Sequence, residues 1–577
     1  MPPDTCPRLP IILGLILLTA ARALPAAAPV AAPVAAPETP QRWFAEGAAA
    51  ARQAIAEAGG AQRARNVIVF LGDGMGFTTV AAGHIYAGQK LGRDGESFRL
   101  SFERFPYTAF SRTYETDQQT PDSAGTMTAI MTGVKTKAGF IGVDQDATRG
   151  DCQSARGRVL VTALQLAGRA GMATGVVTTT RITHATPAAT YGHNPERNWE
   201  VDADLPSAAR AAGCADFAAQ LIDSARAGLL DVALGGGRTA FMPAGTPDPQ
   251  RAGMIGQRLD GRDLIAEWLR MPRSAYVWNA TALAAVDAAR TRRLLGLFNP
   301  THLEYDIDRR QMQLDEPTLA QMTAKAIDIL QRDREGYFLM VEGGRIDHAL
   351  HAGNAFRALD ETRAFAEAVA DAVRRTAGTD TLIVVTADHS HTLTFAGYPA
   401  RGNDILGVVT GAGDSYQASA GDGPAPDARG QPYTTLGFAN GPGYAGASDR
   451  QPEGAKRFPH LFASVRDMQR GRPRLSGAQT RAVDYLQEAT VPLHDETHGG
   501  EDVGIWASGP GARAFHGEFE QNAVFHLIVQ QTPRMRAALC ELGVCDARGV
   551  PVKLPRPADL KTLFRHLCTA IRAGLSK

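Results

Sequence analysis

Five short runs of this sequence are dominated by apolar and β-branched residues, and each ends in a polar or glycine-rich turn. They are NVIVFLGDG (Asn66–Gly74), MATGVVTTT (Met172–Thr180), DVALGGG (Asp231–Gly237), GYFLMVEGG (Gly336–Gly344) and DTLIVVTADH (Asp380–His389). Runs of this length without strict alternation read as strands buried on both faces. Between them, apolar residues recur at helical spacing over Val159–Ala170, Pro317–Leu330 and Ala355–Arg374, and a further helix is expected from Arg42 to about Ala58. Strands alternating with helices predict an α/β fold, a central and mostly parallel sheet flanked by helices on both faces. A chain of 577 residues, 44% hydrophobic, supports one large domain with insertions, or two domains.

The N-terminus reads as a targeting segment. Arg8 precedes the apolar run Ile11–Leu18, and Ala21-Arg22-Ala23 forms a small-x-small exit. This is the pattern of a secretory signal peptide over residues 1–23. The run is short of the roughly 20 residues that span a bilayer, so export is expected rather than anchoring. Residues 24–41 are Ala/Pro-rich and read as an extended linker. The C-terminal stretch LKTLFRHLCTAIRAGLSK has a basic amphipathic pattern, unlike a hydrophobic attachment tail. Lys plus Arg equals Asp plus Glu, at 60 each, so composition argues against a nucleic-acid-binding surface.

From about Ala396 to Val491 the alternating pattern breaks into Gly-, Pro- and Asp-rich sequence, which reads as an insertion. The catalytic domain is therefore expected over 42–395 and 492–577, with 396–491 inserted. Past the signal peptide lie Cys152, Cys214, Cys540, Cys545 and Cys568. In an exported chain these can pair. Cys540 with Cys545 would close a small loop and Cys152 with Cys214 a long one, leaving Cys568. A thiolate metal site would lack any CxxC pair.

Functional residues of an open parallel sheet gather beyond the carboxyl ends of its strands. Asp73, Glu342, Asp388 and His389 all follow predicted strands. Singly, each has a plain structural explanation, such as the Asp73-Gly74 turn. In RIDHALHAGN, Asp347 and His351 stand at i and i+4, on one face of a helix. His391 and His498 add further imidazoles. Such a set of carboxylates and histidines without thiolates suits Zn²⁺ and Mg²⁺, and burying it would be costly without cations. In TPDSAGTMTA, Asp122 or Ser123 reads as a helix N-cap, and Ser123 is also a candidate nucleophile.

FLGDGMG, PDSAGTMTA, THATPAATYGHNPERNW, VEGGRIDHALHAGNA, TADHSH, GYPARGND, NGPGY and ETHGGEDVGIWASGP occur in this order. Together they resemble the alkaline phosphatase family, closer to its animal-type branch, on a leader of bacterial character. The resemblance runs from about Arg42 to Cys545. It implies a secreted phosphomonoesterase of broad specificity, acting at alkaline pH through a phosphoserine at Ser123, with Arg197 clamping phosphate. It implies two zinc ions and one magnesium per subunit. Asp347, His351 and His498 match the ligands of one zinc, and Asp73, Asp388 and His389 those of the other. Asp73 bridges to a magnesium that Thr186 and Glu342 complete. His184 and His391 match positions beside the ligands, and His348 one that contacts phosphate through water. The resemblance further implies the disulfides Cys152–Cys214 and Cys540–Cys545, a crown subdomain over 396–491, and a homodimer. The family's calcium site is expected to be weak here, because Asn299 and Gln250 stand where carboxylates are expected; Asp315 is a remaining acid.

Two competing readings are a phosphodiesterase or sulfatase of the wider superfamily and a non-enzymatic metal- or phosphate-binding protein. PDSAGTM lacks the C/S-x-P-x-R run of a sulfatase. Diesterases commonly use Thr and lack an Arg197-type clamp. A non-enzymatic descendant would more naturally have lost the nucleophile or a ligand.

Overall fold

Asn66–Gly72 (β1) lies near the middle of a ten-stranded sheet, and every one of its residues is buried. Tyr337–Gly343 (β7) and Thr381–Thr386 (β8) pair with it in parallel on either side, so Phe70 faces Val341 on one edge and Val385 on the other. This computed structural model describes residues 38–411, 423–427, 430–445, 455–459 and 474–556. The signal peptide, most of the linker, the C-terminal amphipathic stretch and Cys568 lie outside the described residues.

The other strands of this sheet are Tyr107–Arg112 (β2), Ala173–Arg181 (β3), Val232–Gly236 (β4), Ser274–Val277 (β5), Arg293–Leu297 (β6), Val503–Ser508 (β14) and Gly517–Glu520 (β15). Their order is β15-β2-β14-β8-β1-β7-β3-β4-β6-β5, and β14 alone runs against the rest. All five predicted strands are present, within a mostly parallel sheet. Between β8 and β14 come Ser390–His391 (β9), Leu393–Phe395 (β10), Leu436–Gly441 (β11), Ala489–Pro492 (β12) and His498–Gly499 (β13). Strands β10, β11 and β12 form a separate small sheet, which spans the sequence expected to be inserted.

Successive strand residues point to opposite faces. Val67, Val69 and Leu71 join one core with helices Pro40–Glu57, Ser123–Thr132 and Ala523–Gln531. Ile68 and Phe70 join a second core with Phe77–Lys90, Leu319–Leu330 and Ala355–Arg375. The last of these starts at the Asn354 cap, whose side chain accepts from the Arg357 amide, and it buries Leu359, Phe365 and Val369 against the sheet. Each such side chain contributes about 1.5–3 kcal/mol when fully buried. The first helix begins at Pro40, two residues before the expected start. Thr39 caps it and Pro40 takes the first turn, where the missing N–H costs nothing.

The carboxyl ends of β1, β7, β8 and β3 open on one side of the sheet. Asp73 lies immediately beyond the first of these, Asp388–His389 one residue beyond the third, and Glu342 is the penultimate residue of β7.

Candidate metal and phosphate site

Ser123 opens the helix Ser123–Thr132, with Asp122 as its N-cap: Asp122 Oδ1 accepts from the Gly125 amide at 2.9 Å. Ser123 is 2% exposed. Its Oγ lies 3.1 Å from His389 Nε2 and 3.4 Å from Asp73 Oδ1. His389 Nε2 is in turn 3.4 Å from both Asp73 Oδ1 and Asp388 Oδ2. Asp388 Oδ1 is held by the amides of Gly74 and His389, at 3.2 and 3.0 Å. Gly74 makes that turn possible. Its φ is +68°, and a Cβ there would fall 2.4 Å from the His391 ring.

A second group forms around Asp347, which is 3% exposed. His351 Nε2 and His498 Nε2 lie 3.3 and 3.4 Å from Asp347 Oδ1. His391 is placed differently. It bridges two carboxylates, with Nε2 2.7 Å from Asp347 Oδ1 and Nδ1 on Glu496 Oε2. Burial works against its charge, but Glu496 and Asp347 outweigh that and push it up to about 10. With both nitrogens donating, it orients Asp347. Glu496, 1% exposed, is fixed in turn by the Thr392 amide and hydroxyl. The sequence reading missed Glu496, which acts through another side chain and follows no recognisable spacing.

Asp73, Glu342 and His184 bring ligand atoms together in a third group. Thr186 Oγ1 donates to Asp73 Oδ2 at 3.3 Å. Glu342 Oε2 accepts from the hydroxyls of Thr178 and Thr180, while Oε1 is buried with no partner.

The protonation pattern tests whether cations fit. His351, His498 and His389 each donate Nδ1–H to a backbone carbonyl, of Glu496, Pro121 and Ser390 respectively. A neutral imidazole so bonded presents a lone pair at Nε2. Burial holds His389 well below its usual value and lowers His351 as well. Burial and the neighbouring Asp388 push Asp73 well above the carboxylate range; burial lifts Glu342 to about 8 and Asp388 to about 6. Burial also opposes ionisation of Asp347, yet His351 and His391 hold it well below the usual value. Imidazole lone pairs converge here on carboxyl groups that can ionise only at a cost, and Glu342 Oε1 has no donor at all. Divalent cations answer that arrangement, and imidazole with carboxylate suits Zn²⁺ and Mg²⁺.

Arg197 borders Ser123. Its Nη1 donates to Asp122 Oδ2 at 2.9 Å and its Nη2 lies 3.5 Å from His184 Nε2. Burial is the largest single influence and opposes ionisation, but Arg197 and the hydrogen bonds to Asp122 together outweigh it, and Asp122 sits at about 2. His348 receives a hydrogen bond at Nδ1 from Arg345 Nη1, at 2.9 Å, and partial burial together with that cation lowers it to about 3. It therefore offers Nε2–H as a donor. His302, not anticipated from the sequence, packs 4.3 Å from His348 between ring centroids.

Away from the cleft, Cys152–Cys214 and Cys540–Cys545 are disulfide-bonded, with Cα–Cα distances of 5.9 and 4.9 Å. Asn299 Nδ2 donates to the buried Glu316 at 2.5 Å, and Gln250 Oε1 accepts from Arg238 at 2.9 Å. Asp315, the acid anticipated beside Asn299, is exposed and instead receives the Thr281 amide.

A family model for alkaline phosphatase matches residues 64–533. The tissue-nonspecific alkaline phosphatase of Gallus gallus is 41% identical over 471 residues, which is 80% of this chain and 83% of the relative. Alkaline phosphatase of Gadus morhua is 40% identical over 470 residues, or 80% of this chain and 91% of the relative. Among solved structures, Thermus thermophilus alkaline phosphatase superposes with a TM-score of 0.57 at 25% identity, covering 82% of this chain and 92% of that one. The cold-active enzyme of a Shewanella species gives 0.52 at 26% identity, covering 80% and 98%.

Proposed function

The chain belongs to the alkaline phosphatase family, and we propose that it is an exported phosphomonoesterase of broad specificity working through a phosphoserine at Ser123. The observation that carries this reading is the position of Ser123 Oγ, 3.1 Å from His389 Nε2 at the start of a helix, with Arg197 alongside.

Ser123 Oγ attacks phosphorus and the leaving alkoxide departs in line. Water then attacks the phosphoserine from the vacated side, releasing inorganic phosphate and restoring Ser123. Arg197 offers a planar fork to two non-bridging oxygens in both steps. The free amides at the helix start favour the same anion. The Nε2–H of His348 is placed to meet phosphate through water. We assign Asp347, His351 and His498 to one Zn²⁺, Asp73, Asp388 and His389 to a second, and Asp73, Thr186 and Glu342 to Mg²⁺, with His184 beside it. When bound, these ions neutralise charge on the attacking and leaving oxygens and make Ser123 and water better nucleophiles. His184 in place of a carboxylate weakens the hold on magnesium.

The groups around Ser123 address the phosphoryl group, which supports tolerance of many leaving groups. The two disulfides support export to a periplasmic or extracellular compartment, and no helix among the described residues is long and apolar enough to cross a membrane. A homodimer is proposed on the family relationship. At the calcium position, Glu316 is already answered by an amide donor and Gln250 by an arginine, so that site is weak. Turnover of p-nitrophenyl phosphate by wild type and Ser123→Ala, each with and without chelator, tests the reading. Full activity in the variant, or chelator-resistant activity in the wild type, contradicts it.

A further inference from the structure

Glu115 lies one layer behind the phosphate clamp. It is 5% exposed, and both of its carboxyl oxygens are buried without a well-formed hydrogen bond. Its neighbours are the carboxylates of Asp122 and Asp117 and the Asp122 amide, and burial pushes it up to about 11. It is packed tightly on the first turn of the Ser123 helix: a Cβ on Gly125 would lie 1.9 Å from Glu115 Oε1.

Asp122 shows what is missing. A carboxylate has about four acceptor positions. Gly125 N fills one at 2.9 Å, Gly139 N another at 2.9 Å, and Arg197 Nη1 a third at 2.9 Å. The Glu115 carboxyl faces what remains. An ionised Glu115 there would be a buried charge against another carboxylate. A protonated Glu115 is a donor, and it completes the set.

We propose that Glu115 is kept as a neutral carboxylic acid that donates its proton to Asp122, and so acts as a positioning residue for Arg197. Four donors would fix Asp122 in one rotamer. Asp122 in turn fixes the helix start that carries Ser123 and one arm of the Arg197 fork. The inference rests on Arg197 being the phosphate clamp. It adds a residue that touches neither substrate nor metal ligand.

Two measurements test it. The first is the infrared difference spectrum between wild type and Glu115→Gln at pH 8. A protonated-carboxyl band is expected, and an ionised-carboxylate band would overturn the proposal. This reading needs no turnover, so it fails separately from the phosphatase assignment. The second is calorimetric binding of inorganic phosphate to the metal-loaded protein. Glu115→Gln keeps a donor in the same place and should hold phosphate within about 2-fold of wild type. Glu115→Ala should bind it about 3- to 10-fold more weakly, the span of one lost hydrogen bond. Equal weakening in both variants, or none in either, would overturn the proposal.

Discussion

The Nε2 atoms of His351 and His498 face each other at 3.0 Å, although each ring spends its one N–H on a backbone carbonyl. Two lone pairs at that distance repel unless a cation lies between them. Asp347, the third acceptor of the group, adds a buried negative charge.

Chelation should therefore destabilise the fold as well as stop catalysis. Metal removal leaves Asp73, Asp388 and Glu342 buried, where ionisation is costly and is relieved only by taking up protons. Scanning calorimetry at pH 8 should show a lower Tm in the chelated protein and recovery on adding Zn²⁺. At free metal a hundredfold above Kd, the recovery is about 2.7 kcal/mol. An unchanged Tm would mean the cluster is held together without ions.

Arg197→Lys keeps the charge but loses the fork. One charge-assisted hydrogen bond is worth about 1.5–3 kcal/mol, so kcat/KM should fall about 10- to 100-fold and phosphate should inhibit more weakly. Steady-state kinetics with phosphate as inhibitor reads both. Equal inhibition in variant and wild type would remove Arg197 from the clamp.

Asp122 predicts an acid limb to stability. Its carboxyl falls from 3.8 to about 2 on folding: burial opposes this, and Arg197 together with the hydrogen bonds from its neighbours outweighs burial. Its contribution is complete above pH 3.8 and is lost as pH falls through about 2. A shift of this size corresponds to about 2 kcal/mol. Denaturant melts from pH 5 to 2 should show a shallower loss for Asp122→Asn, which lacks the titration, than for wild type.

The continuous apolar runs made β1, β3, β4, β7 and β8 legible, because a strand buried on both faces has little room for polar residues. The strands toward the edges hid better. Tyr107–Arg112 alternates exposed and buried residues, and Ser274–Val277 and Gly517–Glu520 are short and half-open, so they look like loops in sequence. The site divides in the same way. Asp73, Asp388 and His389 sit just past strand ends, and Asp347 with His351 shows a helical spacing. Glu496 and Arg345 act on His391 and His348, and those partnerships exist only after folding.

Elemental analysis of the purified protein should find zinc and magnesium but no stoichiometric calcium. Asn299 turns its amide N–H toward Glu316, which leaves that carboxylate satisfied by a donor and a cation poorly served. One tightly held Ca²⁺ per chain would contradict this.

The central claim is that Ser123 becomes phosphorylated during turnover. Mixing the metal-loaded protein with a phosphate monoester, quenching in acid and sequencing its peptides by mass spectrometry tests it directly. The account predicts a single phosphoserine at Ser123 in the peptide containing TPDSAGTM, absent from Ser123→Ala, whose turnover is lost. Turnover by Ser123→Ala at the wild-type rate, or phosphate on another residue, would contradict it.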